Sequence, residues 1–433
     1  MSETLPTLLL GAVAMAPIFP MVLAIELPLY LLVIAGIGRH LIHQRRPGIM
    51  SRPYSPRVSC IVTCYSEGAD ARKTVECLLE QAYQGPIEVI AMVDGASKNR
   101  DTLRAVRSAG DGLRASPGRV LKCVPKWQRG GRVSSLNAGL SLARGDIVMA
   151  LDGDTSFDDD MVAQAVARMA DPRVIALTGT LRVRNRRESI WAHFQALEYL
   201  IGLVATRTGL AAFNVVNNVS GAFGVFRRDV LLRVGGWESG TAEDLDLTLR
   251  LQRYTGRHPD RIIAFEPAAI GHTDVPARFG DLLKQRLRWD GDLFYVYVRK
   301  HWQAFRPGIL GWPRLIATAW YGLLHQIVLP FVIVIYLVWM GFTQTPDRLV
   351  IMLGLIYLLY LLIAAVMASV AIGLLSERRR EDLTLLPALL LFPVFRGFMR
   401  VWSVVAILAE IVLSAHKDTS MAPWWVLKRS AHR

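Results

Sequence analysis

Three hydrophobic patterns follow one another along the chain. Residues 6–37 are almost wholly apolar, with Glu26 as the one internal acid. A membrane span takes about 20 residues, so this run is long for one helix and short for two. Pro17 and Pro20 interrupt it, which predicts one span over residues 18–37. Arg39, His40, Arg45 and Arg46 follow the run and no basic segment precedes it. It therefore reads as an anchor rather than a cleaved leader, with residues 39 onward on the cytoplasmic side.

Between residues 57 and 300 the pattern becomes that of an α/β domain. VSCIVTCY (58–65) reads as a buried strand, followed by a helix with apolar spacing at Val75, Leu78 and Leu79. IEVIAMVD (87–94) reads as a second strand and DIVMALDGD (146–154) as a third, and both end on acids. Strands alternating with helices predict a parallel-rich sheet covered on both faces. Ligands of such sheets lie beyond the carboxyl ends of the strands. Asp94, Asp152 and Asp154 all fall there.

The membrane pattern returns at residues 316–342 and 349–375, two predicted spans joined by the short loop TQTPDR. ERRRED (377–382) then marks the cytoplasmic side. Pro387, Pro393, Arg396, Gly397 and Arg400 interrupt residues 384–414, which read either as an interfacial segment plus one span or as a broken hairpin. Arg396, Arg400 and Glu410 are expected to face protein or a polar conduit rather than lipid. The chain thus divides into a membrane segment (1–45), a cytoplasmic domain with interfacial helices near its end (46–300), and a C-terminal membrane region with a tail (301–433).

Composition supports this division: 52% of the residues are hydrophobic, too many for an ordinary soluble domain. The formal charge of +14 fits nucleic acid, anionic lipid or an anionic substrate. No basic run is interleaved with aromatics, so nucleic acid is the weakest of the three. Cys60, Cys64, Cys77 and Cys123 form no CxxC pair and read as buried reduced thiols rather than metal ligands.

Several acidic and basic positions have both a structural and a chemical reading. Asp152-Gly153-Asp154 is either a solvated turn or a carboxylate pair able to hold a divalent cation against a diphosphate. Asp158 and Asp159 read as helix-start acids. Asp94 is either a turn-forming Asp-Gly residue or an acceptor for a base or ribose donor. In Glu243-Asp244, Asp244 sits three residues past Thr241, as in a helix cap, or supplies a general base for an acceptor hydroxyl. QRLRW (285–289) is either a basic amphipathic surface helix or an Arg for a diphosphate beside a Trp for a sugar face.

Their order narrows the choice. A strand-end Asp, a DxD, SGAFGVFRR, ED, QxxRW and then membrane spans resembles the processive family 2 glycosyltransferases, the cellulose, chitin, hyaluronan and poly-N-acetylglucosamine synthases. The resemblance runs from about Pro56 to the C-terminus. It implies a GT-A-type nucleotide-diphospho-sugar transferase domain inserted between N-terminal and C-terminal transmembrane helices.

The resemblance also implies roles. Thr63, Tyr65 and Glu67 are nucleotide contacts of the first strand, and Asp94 is the uracil-binding acid. Asp152 and Asp154 hold Mg2+ or Mn2+ and the diphosphate. Arg132 stands where the family has Lys and faces the pyrophosphate. Asp244 is the catalytic base, with AED in place of TED, and Glu243 beside it faces the acceptor. Gln285 and Arg288 hold the diphosphate, while Trp289, Ser220 and Gly221 line the acceptor site. Val93-Asp94-Gly95-Ala96 departs from the usual acidic pair and following Ser.

VSGAFGVFRRDVLLRVGGW, AEDLDLTLRL and KQRLRW are most similar to the poly-N-acetylglucosamine synthases. The implied enzyme is an inverting hexosyltransferase of the bacterial inner membrane. It takes a UDP-sugar, UDP-N-acetylglucosamine first, and secretes a β-linked exopolysaccharide of the kind found in biofilms. Hyaluronan- or glucan-type synthesis, non-processive transfer to a lipid, and a non-enzymatic transporter or scaffold are the alternatives. A small membrane subunit and periplasmic export proteins are the implied partners.

Overall fold

The computed structural model describes residues 22–44, 54–110, 117–238 and 242–414. Eight strands form one sheet: β1 (Val58–Cys64), β2 (Ile87–Val93), β3 (Arg119–Pro125), β4 (Ile147–Asp152), β5 (Ser156–Phe157), β6 (Val174–Val183), β7 (Phe223–Arg227) and β8 (Ile262–Thr273). Their order is β3-β2-β1-β4-β7-β6-β8-β5. β3, β2, β1 and β4 run parallel, and β7 is antiparallel to both β4 and β6. The three predicted strands are β1, β2 and β4.

Period-two alternation splits each strand between two cores. On one face lie Val58, Cys60, Val62, Val89, Ala91 and Met149, and on the other Ile61, Ile90, Met92, Val148 and Ala150. Both faces are apolar because helices cover both. Each fully buried Ile or Met contributes about 1.5–3 kcal/mol. The helix Ala69–Leu79 packs Val75, Leu78 and Leu79 onto the first face, as its spacing predicts. The helix Gly131–Leu142 packs Leu136 and Leu140 onto the second. Cys60 and Cys64 are buried free thiols, and burial pushes Cys60 up to about 12.

Register sets the active edge. Thr63 pairs with Asp152 across β1 and β4, and Cys64 with Val93 across β1 and β2. The ends of three strands are therefore level, which brings residues 63–67, 94 and 152–154 to one rim.

Among the described residues, three helices are long and apolar enough to cross a membrane: Ala24–Ile42, Trp312–Thr343 and Pro346–Leu375. The last two match the predicted spans. The first covers the described part of the predicted 18–37, whose residues 18–21 lie outside the described residues, and its helix continues through Arg39 and His40 to Gln44. Arg39 is tolerated there because its guanidinium lies over the Phe213 ring, 5.7 Å from the centroid. This helix also docks tightly on the helix Arg207–Ala211. A Cβ on Gly36 would stand 2.0 Å from the carbonyl oxygen of Gly209, so the contact requires glycine. Pro17, Pro20, Arg45, Arg46 and the cap expected of Thr241 lie outside the described residues.

Residues 384–414 form a short 3-10 turn, Leu386–Leu390, and one helix, Phe392–Leu413. They are not a broken hairpin. The helix packs along Phe279–Phe294, where Trp402 Nε1 donates to Leu283 O at 2.9 Å and Ser403 Oγ to Asp290 at 2.7 Å. Its charges face protein as expected: Glu410 meets Arg299 at 3.2 Å and Arg396 meets Glu198. One further expectation is corrected. Asp158 is not merely a helix-start acid; it accepts from Arg378 Nη2 at 2.8 and 2.9 Å and lies 2.8 Å from His272 Nε2, tying the sheet to the segment after a membrane helix.

Candidate active site

A cleft of about 980 Å3 runs from the strand ends to the membrane helices. Its walls include every site residue predicted from the sequence, from Thr63 and Asp94 through Asp244 to Trp289.

Asp94 follows β2 directly. Its Oδ1 accepts from Lys126 Nζ and the Gly130 amide, and its Oδ2 from the Gly131 amide, each at 2.9 Å. The carboxylate thus sits on the start of the helix Gly131–Leu142, a favourable place for negative charge. Gly131 has φ +78°, which lets both amides turn inward. One Oδ2 lone pair is left for a ligand donor. Tyr65 lies nearby with the Arg129 guanidinium 4.4 Å from its ring centre.

Asp152 ends β4 and Asp154 follows across Gly153. Burial, with the Asp152 charge adding to it and Arg184 opposing, pushes Asp154 up to about 6. Burial likewise pushes Glu67 up to about 8, with the Asp154 and Asp152 charges adding. At Asp154, Arg184 offsets burial and the neighbouring Asp152 charge only in part. That is the environment a divalent cation satisfies, and one or two carboxylates plus phosphate oxygens form a usual Mg2+ set. Asp152 and Asp154 therefore fit the predicted metal, although among the described residues no cluster of three or more His, Cys, Asp or Glu ligands exists.

Arg132 holds the centre of the cleft. It pairs with Asp152, donates to Glu243 Oε1 at 2.5 Å and to Thr63 Oγ1 at 2.9 Å, and reaches Gly221 O at 2.6 Å. So the arginine predicted to face a pyrophosphate ties the DxD to the Glu243-Asp244 pair. Glu243 is buried against it, and burial pushes that carboxyl up to about 7 even with Arg132 opposing.

Asp244 lies in the first turn of the helix Glu243–Arg257. Its Oδ1 accepts from the Leu245 amide at 2.8 Å. Its Oδ2 accepts from the Gly221 amide at 3.1 Å and Asn218 Nδ2 at 3.2 Å. These neutral donors orient the carboxylate without taking its charge. The loop carrying Ser220 and Gly221 thereby joins Asp244 to Arg132.

The QRLRW segment is not a surface helix. It lies inside Phe279–Phe294, with Gln285, Arg288 and Trp289 spaced three and four apart on one side. Arg288 lines the cleft and makes no ion pair among the described residues. Arg286 donates to Glu198 at 2.5 Å and lies 4.7 Å from the Trp289 ring centre.

Other cleft residues had no signal in the sequence. Glu198 is buried between Arg286 and Arg396; burial would raise its carboxyl, but the two guanidiniums hold it below the usual range. Arg207 also lines the cleft, with a buried Nη1 that has no hydrogen-bond partner among the described residues. Lys126 and Asn218 look like ordinary surface residues in the sequence, and only their contacts with Asp94 and Asp244 distinguish them.

The chain is similar in sequence and fold to known proteins. The poly-beta-1,6-N-acetyl-D-glucosamine synthase of Staphylococcus epidermidis is 30% identical over 254 residues, covering 58% of this chain and 57% of that protein. The protein of the same name from Staphylococcus aureus (strain COL) is 29% identical over 273 residues, covering 61% and 62%. The chain therefore spans less than two thirds of the length of these curated relatives. A solved structure, the mannosyltransferase PcManGT from Pyrobaculum calidifontis in complex with GDP-Man and Mn2+, is 21% identical with a TM-score of 0.55. It covers 89% of this chain and 99% of its own, and shares the GT-A-type fold. The family described as glycosyltransferase like family 2 matches residues 56–291, the whole stretch from before β1 to just past Trp289, and the chain belongs to that family.

Proposed function

We propose that this protein is a processive inverting glycosyltransferase of the bacterial inner membrane, with its catalytic domain on the cytoplasmic side. It polymerises a UDP-sugar, UDP-N-acetylglucosamine first, into a β-linked exopolysaccharide. The observation that carries this reading is the continuity of one cleft. The same cavity is lined by Asp94 and Asp154 at one end and by Tyr321, Gln326 and Arg400 of the membrane side at the other. The relatives' names support the sugar, and the bound GDP-Man and Mn2+ of the structural neighbour support a nucleotide-sugar and a divalent cation.

In this reading Asp94 takes a base donor on its remaining lone pair, and Tyr65 lies beside the base. Arg288, unpaired, takes the diphosphate charge together with Gln285. A divalent ion held by Asp152 and Asp154 supplies further charge to the leaving diphosphate. Arg132 holds the loop of Ser220 and Gly221 in place, beside Glu243. Trp289 offers a face to the acceptor's terminal sugar. Asp244 removes the acceptor hydroxyl proton. The oxygen bonds to the anomeric carbon as the carbon–phosphate-oxygen bond breaks, and the electron pair leaves with the UDP. One displacement from an α-linked donor yields a β linkage.

The test is a panel of UDP-sugars with purified full-length protein, reading UDP release and product length. Release with UDP-N-acetylglucosamine and a ladder of long products is expected. Release with a single sugar added to lipid would overturn processivity, and no release with any UDP-sugar would overturn the activity.

A further inference from the structure

A second cavity, of about 410 Å3, lies outside the catalytic cleft. Its walls come from the end of β6, the turn Arg184–Glu188, the helix Ile190–Tyr199 with the π-turn after it, and the segment from Arg378 to Leu385. That π-turn, Leu200–Thr206, packs against the membrane helix Pro346–Val370 and its end. The cavity thus sits where the catalytic domain meets the end of a membrane span.

Its lining is amphipathic. Leu200, Val204 and Leu385 form an apolar part, whereas Arg182, Arg184, Arg186, Arg187 and Arg378 make it basic. Asp382 pairs with Arg182, Glu381 with Arg186, Asp274 with Arg184 and Asp158 with Arg378, so Arg187 is the lining arginine whose charge is left without a carboxylate partner among the described residues. Arg182 is largely covered and grips Asp382 at 2.9 and 3.2 Å, yet its Nε has no hydrogen-bond partner among the described residues. Arg187 has no ion pair or hydrogen bond among the described residues. Arg186 meets Glu381 at 3.2 Å, but Glu381 is half exposed and its pairing is weak. Unused guanidinium donors around a cavity with an apolar wall are what a phosphate on an apolar or aromatic body requires.

The turn also touches the catalytic edge. Arg184 donates to the carbonyl oxygen of Asp154 at 3.2 Å and to Asp274 at 2.8 Å, and both residues line the first cleft.

We propose that this second cavity binds a phosphate group, carried by a membrane lipid headgroup or by a soluble phosphate compound, through Arg187, Arg186 and the free Nε of Arg182. Its occupant would hold the turn that supports Asp154 from behind. The site is independent of which sugar is transferred, and its test reads binding alone.

Full-length protein is placed in nanodiscs of phosphatidylcholine and phosphatidylglycerol in equal parts, and native mass spectrometry counts the lipids retained after release. A second arm measures thermal stability in neutral detergent with sodium phosphate against sodium chloride at equal ionic strength. Preferential retention of phosphatidylglycerol supports the lipid source. Stabilisation by phosphate without lipid preference supports the soluble source. Either signal is expected to fall about tenfold in Arg187→Glu, the worth of one charge-assisted contact. Arg233→Glu, at an exposed arginine lining neither cavity, is expected to leave it unchanged. Arg187→Gln serves if the charge reversal fails to fold. No signal in either arm, or a signal equal in wild type, Arg187→Glu and Arg233→Glu, overturns the proposal.

Discussion

The two ends of the catalytic cleft treat buried charge in opposite ways. At the strand-end rim, Glu67, Asp152 and Asp154 crowd together, and burial raises two of them toward neutrality. At the membrane-side end, Glu198 is clasped by Arg286 and Arg396, and Glu26 meets Arg400 at 3.4 Å and Tyr360 Oη at 2.5 Å. The inner end is charge-matched by the chain itself and acts as scaffold. At the outer end Lys126 pairs with Asp94 and Arg132 with Asp152, but burial outweighs Arg184 at Asp154 and raises Glu67, an environment that a divalent cation would suit.

The sharpest way to break this comparison is at the point between the two ends. Asp244→Asn is expected to lower UDP release and polymer yield by about 10²–10⁴-fold, with UDP binding retained. Equal turnover in that variant would remove Asp244 as the base.

Next, Glu198→Ala leaves Arg286 and Arg396 without their shared carboxylate. Breaking such a buried pair costs about 3–5 kcal/mol, so thermal unfolding is expected at markedly lower temperature. A melting curve like that of wild type would show that the inner end is not scaffold.

Chelation sharpens the outer end. Excess EDTA is expected to reduce turnover by about 10²-fold, equivalent to several kcal/mol, with recovery on adding Mn2+ or Mg2+. Asp154→Asn is expected to lose that recovery.

The smallest effect concerns pH. Burial pushes the Glu67 carboxyl up to about 8 in the folded protein, well above the ordinary glutamate range of about 4.3. Between those values the folded state holds a proton that the unfolded state has released, so stability falls as pH rises through this window. Below it both states are protonated and the term is fully favourable. Glu67→Gln is therefore expected to flatten the decline in melting temperature between pH 6 and pH 8, by a few degrees. Parallel pH profiles would contradict the burial of this acid.

The legibility of the molecule follows the same division. Asp94, Asp152 and Asp154 were readable because each ends an apolar run, and β1, β2 and β4 carry the alternation of two covered faces. Asp244 and Arg288 were readable through the order of motifs, not through any one of them. The antiparallel direction of β7 and the strand β8, whose register against β6 shifts around Pro267, had no comparable signal. QRLRW was ambiguous in isolation. Its neighbour, the helix Phe392–Leu413, is what turned it from a surface helix into a cleft wall.

By itself, then, the sequence determined the strand ends, the membrane runs and the residue types that line the candidate site. These depend on local backbone geometry and on apolar periodicity over a few residues. Only the tertiary structure decided which charges are matched. Arg132 reaches Glu243 across 111 positions and Arg400 reaches Glu26 across 374. Coulomb attraction and desolvation depend on distance and burial in space, and no spacing along the chain encodes them.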